Sequence, residues 1–203
     1  MQRFLHFFSS SGRYFNRYKR NSGVALAVVV IFSAFHSNSF DGPPGQSNTH
    51  SPPDSLSIID PLLKETLLND FRSRQLADSL SSFALSLHGK KYRYGGESPE
   101  GFDCSGFVFY VFSHFGHELL RSSRSQSTQG KEIPLNEVQK GDLLFFTGTN
   151  PKLRQVGHVG IIISTPEEEI SFVHSSSNGG VKVSQLDGYY ETRLMFARRI
   201  LEN

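Results

Sequence analysis

The apolar residues of this chain change their spacing once, and that change restricts the fold more than any other feature. Between Asp60 and Gly116 they recur at helical intervals; between Ile133 and Leu201 they fall in short runs bounded by turn residues. Helices followed by strands imply an α+β domain. Pro61 suits a first helical position, and Leu62, Leu63, Leu67, Leu68 and Phe71 form one stripe behind it. A second helical stretch, Leu76 to Leu87, stops at Gly89, and the pair is expected to pack on the core without carrying chemistry. The segment Lys90 to Gly96 sets Tyr92 and Tyr94 on one side and ends in a Gly-Gly turn. Beyond it, a helix over residues 103–115 is apolar nearly all round and should be buried. Leu143–Thr147, His158–Ser164, Ile170–Ser175, Val181–Leu186 and Leu194–Leu201 read as a five-stranded antiparallel sheet, with that helix laid against one face. In 203 residues, 37% of them apolar, one core is expected.

The first 57 residues read differently. Arg3, Arg13, Arg17, Lys19 and Arg20, with no acid among them, precede a mostly apolar run from Gly23 to Phe35. A basic stretch ahead of a short apolar one has the form of an export signal, and the run falls short of the roughly 20 residues that span a bilayer. Residues 1–35 are therefore expected to direct export and then to be cleaved or kept as an N-terminal anchor; no Ala-x-Ala site and no cysteine for lipid attachment follows them. Residues 36–57 are dense in Ser, Pro, Asn and Gly and read as a flexible tether. The chain as a whole carries +2, residues 1–35 carry +5 and the remainder −3. The folded part has no basic excess, so nucleic acid is not expected as a partner.

Cys104 is the only cysteine, and it stands in Gly-Phe-Asp-Cys-Ser-Gly at the start of the apolar helix. A thiol in a first helical turn sits among unpaired backbone N–H groups at the positive end of the helix dipole, which is expected to lower its pKa from about 8.5. Asp103 is a good N-cap, Ser105 keeps the helix entrance polar, and Gly101 and Gly106 let other backbone approach. In an oxidising compartment an unpaired cysteine forms no internal disulfide, so it is either a reactive thiol or sealed away.

A thiol nucleophile needs an imidazole to take its proton, and that imidazole needs a polar group to orient it. His158 opens the strand His-Val-Gly-Ile and His174 closes Ile-Ser-Phe-Val-His, on either side of a turn at Thr165–Glu167. A hairpin centred on Pro166 sets His158 directly opposite His174, on one face with side chains about 5 Å apart. His88, His114 and His117 read as helix-end residues. Glu167–Glu169 read as a solvated hairpin tip, and His6, His36 and His50 fall before the domain.

In order and surroundings, these residues resemble the NlpC-type family of bacterial cell-wall cysteine peptidases, compact relatives of papain. The matching strings are Tyr-Arg-Tyr-Gly-Gly, Gly-Phe-Asp-Cys-Ser-Gly-Phe-Val, Leu-Arg-Ser-Ser, Lys-Gly-Asp-Leu-Leu-Phe-Phe, His-Val-Gly-Ile, Phe-Val-His-Ser and Phe-Ala-Arg-Arg-Ile, spanning about residues 75–201. The resemblance implies a papain-like peptidase domain over residues 58–203 that hydrolyses a peptidoglycan stem peptide, typically between γ-D-glutamate and a diamino acid. It casts Cys104 as nucleophile, His158 as base, His174 as the group orienting it, and Tyr92 as contributor to the oxyanion site. Asp103, Arg121 and Ser123 would hold substrate. No cofactor is implied, and a monomer in the cell envelope is expected. Three alternatives stay open: a zinc site using Cys104, His158 and His174, for which no fourth ligand has suitable spacing; a non-catalytic envelope adaptor; and an amidase or transferase using the same thioester. Two features depart from the family pattern: a hairpin lengthened by Pro166–Glu169, and the lack of a preceding wall-binding module.

Overall fold

The computed structural model describes residues 60–164 and 168–201, so the readings of residues 1–35 and 36–57, and of the turn at Thr165–Glu167, lie outside the described residues. Helix α1 runs Pro61–Ser86, and the Asp60 side chain caps it by accepting the Leu62 N–H at 2.8 Å. The two helices expected here are one. Nothing between Phe71 and Leu76 breaks the spacing, and the polar residues there face outward.

Only the second half of α1 joins the core, through Leu80, Ala84 and the following Leu87. Leu62, Leu63, Leu67, Leu68 and Phe71 are exposed, contrary to the expectation that the whole stretch packs inward. At about 100° per residue, Leu67, Leu68 and Phe71 lie roughly 120–180° around the helix axis from Leu80, whereas Leu62 shares the side of Leu80 but sits about 27 Å earlier along the axis. Among the described residues, no helix is long and apolar enough to cross a membrane.

A small ribbon, β1 (Glu97–Ser98) with β2 (Gly101–Phe102), leads into α2 (Cys104–His114) and the short α3 (Ser123–Gln126). The strands β3 (Lys131–Ile133), β4 (Leu143–Thr147), β5 (Val156–Ile162), β6 (Ser171–Ser176), β7 (Gly180–Gln185) and β8 (Leu194–Arg199) follow, with one helical turn, α4 (Gly188–Glu191), before β8. They form an antiparallel sheet in the order β3-β8-β4-β5-β6-β7. Six strands stand where five were expected. The extra one, β3, is three residues long, too short to carry an alternating pattern, and it exists by pairing with β8.

Both faces of the central strands are covered, which is why Leu143–Thr147 is buried throughout. On one face Phe107, Val108, Val111 and Phe112 of α2 pack with Leu143, Phe145, Val159, Ile161 and Val173. On the other, Leu144, Phe146, Ile162 and Phe172 pack with Ile133, Val138 and Ala197. Burying each such side chain stabilises the fold by about 2 kcal/mol, so α2, and with it the cysteine, is anchored firmly to the sheet.

Candidate active site

Cys104 is the first residue of α2, partly exposed, and its helix start is closely organised. The Asp103 carboxylate caps the helix through the Gly106 N–H at 2.6 Å and accepts the Ser105 hydroxyl at 3.1 Å. Gly106 is required here: a Cβ at that position would lie 2.0 Å from the Gly96 carbonyl oxygen. That close approach lets the 92–96 segment lie across the helix entrance.

The thiol does not titrate as its place in the helix predicts. Burial pushes its pKa above the ordinary 9, and the Asp103 carboxylate adds to the rise; the backbone N–H groups of Ser105, Val159 and Cys104 oppose it without prevailing. Tyr92 is half-buried beside Cys104. Its hydroxyl is also pushed up, first by burial and then by the negative charges that Cys104 and Asp103 can carry. Tyr94 points instead into solvent, 91% exposed, because the chain turns at that residue and the alternation stops.

The two histidines meet. His158 Nε2 lies 2.9 Å from His174 Nδ1, with the rings perpendicular. They do so diagonally. The β5–β6 pairs are Ile161–Val173 and Ile162–Phe172, two residues away from the register expected, so His158 is not directly opposite His174. A shift of two preserves the face of every side chain, whereas a shift of one would have separated the rings. Gly160 supplies the room: a Cβ there would lie 2.5 Å from the Phe172 ring and 3.2 Å from the His174 Cβ.

Phe146, Phe172 and Tyr190 surround the pair. Burial is the main reason both imidazoles are poor bases, His158 held down to about 4 and His174 to about 3; Lys182 adds to the effect on His158, and the charge His158 can carry, then Lys182, to that on His174. By the pleat, His158 belongs to the face away from α2. The first turn of α2 meets β5 at the peptide between His158 and Val159, whose N–H points at the Cys104 sulfur.

Residues 89–199 match the NlpC/P60 family. The chain belongs to that family. It is 33% identical over 183 residues to the murein DD-endopeptidase MepS/murein LD-carboxypeptidase of Escherichia coli strain K12, covering 87% of this chain and 90% of that one. It is 40% identical over 115 residues to an NlpC homologue of Haemophilus influenzae, covering 56% of this chain and 57% of that one. A crystal structure of an NlpC/P60 family protein from Bacillus cereus superposes with a TM-score of 0.57 at 31% identity, over 62% of this chain and 40% of that one. The chain therefore spans nearly all of the first relative, but only part of the other two.

Within this NlpC/P60 domain, the residues expected to hold substrate divide. Asp103 and Arg121 form a bidentate pair, Nη1 to Oδ1 at 3.0 Å and Nη2 to Oδ2 at 2.8 Å. Arg121 also donates to Glu97, Ser105 and the Gly96 carbonyl, so all five guanidinium donors are in use and none is left for a ligand carboxylate. Burial works to raise the Asp103 pKa, but the hydrogen bonds from Arg121 and Gly106 outweigh it and hold the carboxyl below its ordinary range. Ser123 begins α3, half-buried, one residue after the Ser122 cap.

Three contributors were missed by sequence reasoning. Ser184 Oγ and the Tyr190 hydroxyl lie 3.0 and 3.3 Å from His174 Nε2. Gln126, fully buried, ties α3 to the cysteine turn through the Ser105 carbonyl at 3.0 Å. A serine two residues after Lys182 carries no signal by itself; only the pairing of β6 with β7 places it under His174.

Proposed function

We propose that this chain, a peptidoglycan endopeptidase by family, cuts stem peptides through an acyl-thioester on Cys104 with His158 as the general base. The observation that carries the reading is the His158–His174 contact at 2.9 Å beside the partly exposed cysteine turn. It commits His158 Nε2 to His174 and leaves Nδ1 as the nitrogen that can accept a proton. For Nδ1 to carry a lone pair, Nε2–H must donate to His174 Nδ1, and His174 Nε2–H must then donate to Ser184 or Tyr190. The hydrogen bonds run in one direction.

With the thiol pKa raised and the imidazole pKa lowered, the resting pair is neutral. The thiol proton moves to His158 Nδ1 as sulfur bonds to the scissile carbonyl carbon. The oxyanion is met by the Cys104 N–H and the Tyr92 hydroxyl. Collapse breaks the C–N bond, and the amine leaves with the proton from Nδ1. Water, deprotonated by the same nitrogen, then hydrolyses the thioester and restores the thiol. Asp103 and Ser123 line the acyl side of the cleft, with Arg121 bracing Asp103.

The residues before the domain fit an exported protein held by or released from the membrane, working on the wall as a monomer from the end of a Ser/Pro-rich tether over residues 36–57. The bond assigned is that between γ-D-glutamate and the diamino acid. Mass spectrometry of defined muropeptides incubated with wild type and with Cys104→Ala tests both points. Cleavage at that bond by wild type and none by the variant is expected. Sustained hydrolysis by the variant would overturn the mechanism, and fragments from another bond would overturn only the bond.

A further inference from the structure

The end of the sheet that carries His158 is ringed by basic residues, and four of them are matched by the protein itself. Arg121 is taken by Asp103 and Glu97, Arg124 donates to the Gln155 side chain, and Arg154 to the Leu194 carbonyl. Arg193 reaches the Gly148 and Thr149 carbonyls and stacks on Tyr189. Lys182 is different. It is half-buried, yet it forms no ion pair or hydrogen bond among the described residues.

Its position is well determined. Lys182 on β7 is directly paired with His174 on β6, so the two side chains leave the sheet on one face as close neighbours. The side chain leans back toward the β6–β7 turn, its Cδ against Gly179, at the same end of the sheet as His158. An ammonium here works against the chemistry. His158 must become an imidazolium during attack, and a second positive charge nearby makes that state costlier. An anion seated on Lys182 removes the penalty and gains a charge-assisted bond.

Building on the proposed endopeptidase reading, we propose that Lys182 is the docking point for a free carboxylate of the stem peptide. The substrate then supplies the missing counter-charge, and its arrival lifts the part of the cost of protonating His158 that Lys182 imposes, the larger part, from burial, remaining. Such a site discriminates between stem peptides whose carboxylates are free and those in which they are amidated.

The test uses synthetic stem peptides as the free acids, amidated on D-glutamate, or amidated on the diamino acid, with wild type, Lys182→Met and Lys182→Arg. Wild type should favour the free acid over one of the amides by about tenfold in kcat/KM. Lys182→Met should abolish that preference by losing about tenfold on the acid while holding or gaining on the amide; Lys182→Arg should retain it. Calorimetric Kd values of the same peptides on Cys104→Ala and on Cys104→Ala/Lys182→Met read the preference without hydrolysis. An acid-to-amide Kd ratio near one, or a ratio unchanged by Lys182→Met, would overturn the inference. Failure of wild type to cut any of the peptides would instead overturn the endopeptidase reading, leaving the Kd ratio to judge Lys182.

Discussion

The cysteine side of the site is held by charge-assisted hydrogen bonds among residues 96–126, whereas the histidine side is held by burial among rings drawn from residues 146–190. On the first side a carboxylate is kept ionised beside a guanidinium. On the second, two imidazoles are kept neutral because nothing repays their desolvation. The contrast separates two tasks. The cysteine turn needs a fixed geometry and tolerates water, so polar bonds suffice; the base needs a ring that is unprotonated at neutral pH and points one way, which a dry aromatic setting with a single line of hydrogen bonds provides.

The sharpest way to break the comparison is at the base. His158→Ala should lower kcat by about a thousandfold or more while leaving the fold intact, and His174→Gln, which can still accept from His158, should cost much less. Steady-state rates on a muropeptide, with circular dichroism as the fold check, decide it. Equal losses for the two variants would mean that His174 does more than orient.

Acid should find the histidine side first. Each ring binds its proton more weakly in the folded protein than in the unfolded chain, where imidazole titrates near 6.5. Unfolding therefore takes up protons below that pH. Stability that is fully present above about pH 6.5 is lost progressively toward the folded values near 4 and 3, by on the order of 5 kcal/mol for the two rings together between pH 7 and 4.5. Urea melts across that range should show the slope, and His174→Asn should flatten it. A wild-type midpoint that does not move would mean the rings are not desolvated as described.

The cysteine side should break through its carboxylate. Asp103→Ala removes the α2 cap and leaves the Arg121 guanidinium facing only Glu97, Ser105 and a carbonyl, at a cost of about 2 kcal/mol in urea melts at pH 7. It should also lower the pKa at which Cys104 becomes reactive to iodoacetamide, because the carboxylate is one of the groups holding the thiol up. An alkylation profile unchanged by the substitution would place the cause in burial alone.

How much of this could be read in advance depended on distance along the chain. The Asp103 cap, the Pro61 helix start and the placing of Cys104 in a first turn are decided by neighbours within a few residues, and each was readable. So were the central strands, whose apolar runs are dense, and the α+β order. The continuity of α1 and the exposure of Leu67 and Phe71 were not, because a helical stripe says which residues share a side and nothing about what covers it. Strand β3 has too few residues to announce itself. The thiol pKa went the opposite way to the expectation from helix position, since burial and Asp103 outweigh the backbone N–H groups at the helix start.

The sequence by itself determined that a nucleophile-bearing helix would precede an antiparallel sheet, and that two histidines would leave one hairpin on a common face. Strand parity survives any even error in register, so that conclusion did not depend on where the turn fell. The tertiary structure alone decided which groups those residues meet: Arg121 across from Asp103, Ser184 and Tyr190 beneath His174, and Lys182 at their side. Such contacts join residues 10 to 18 positions apart or on separate elements. No local pattern encodes them; they follow from how the sheet pairs and twists once both of its faces are buried.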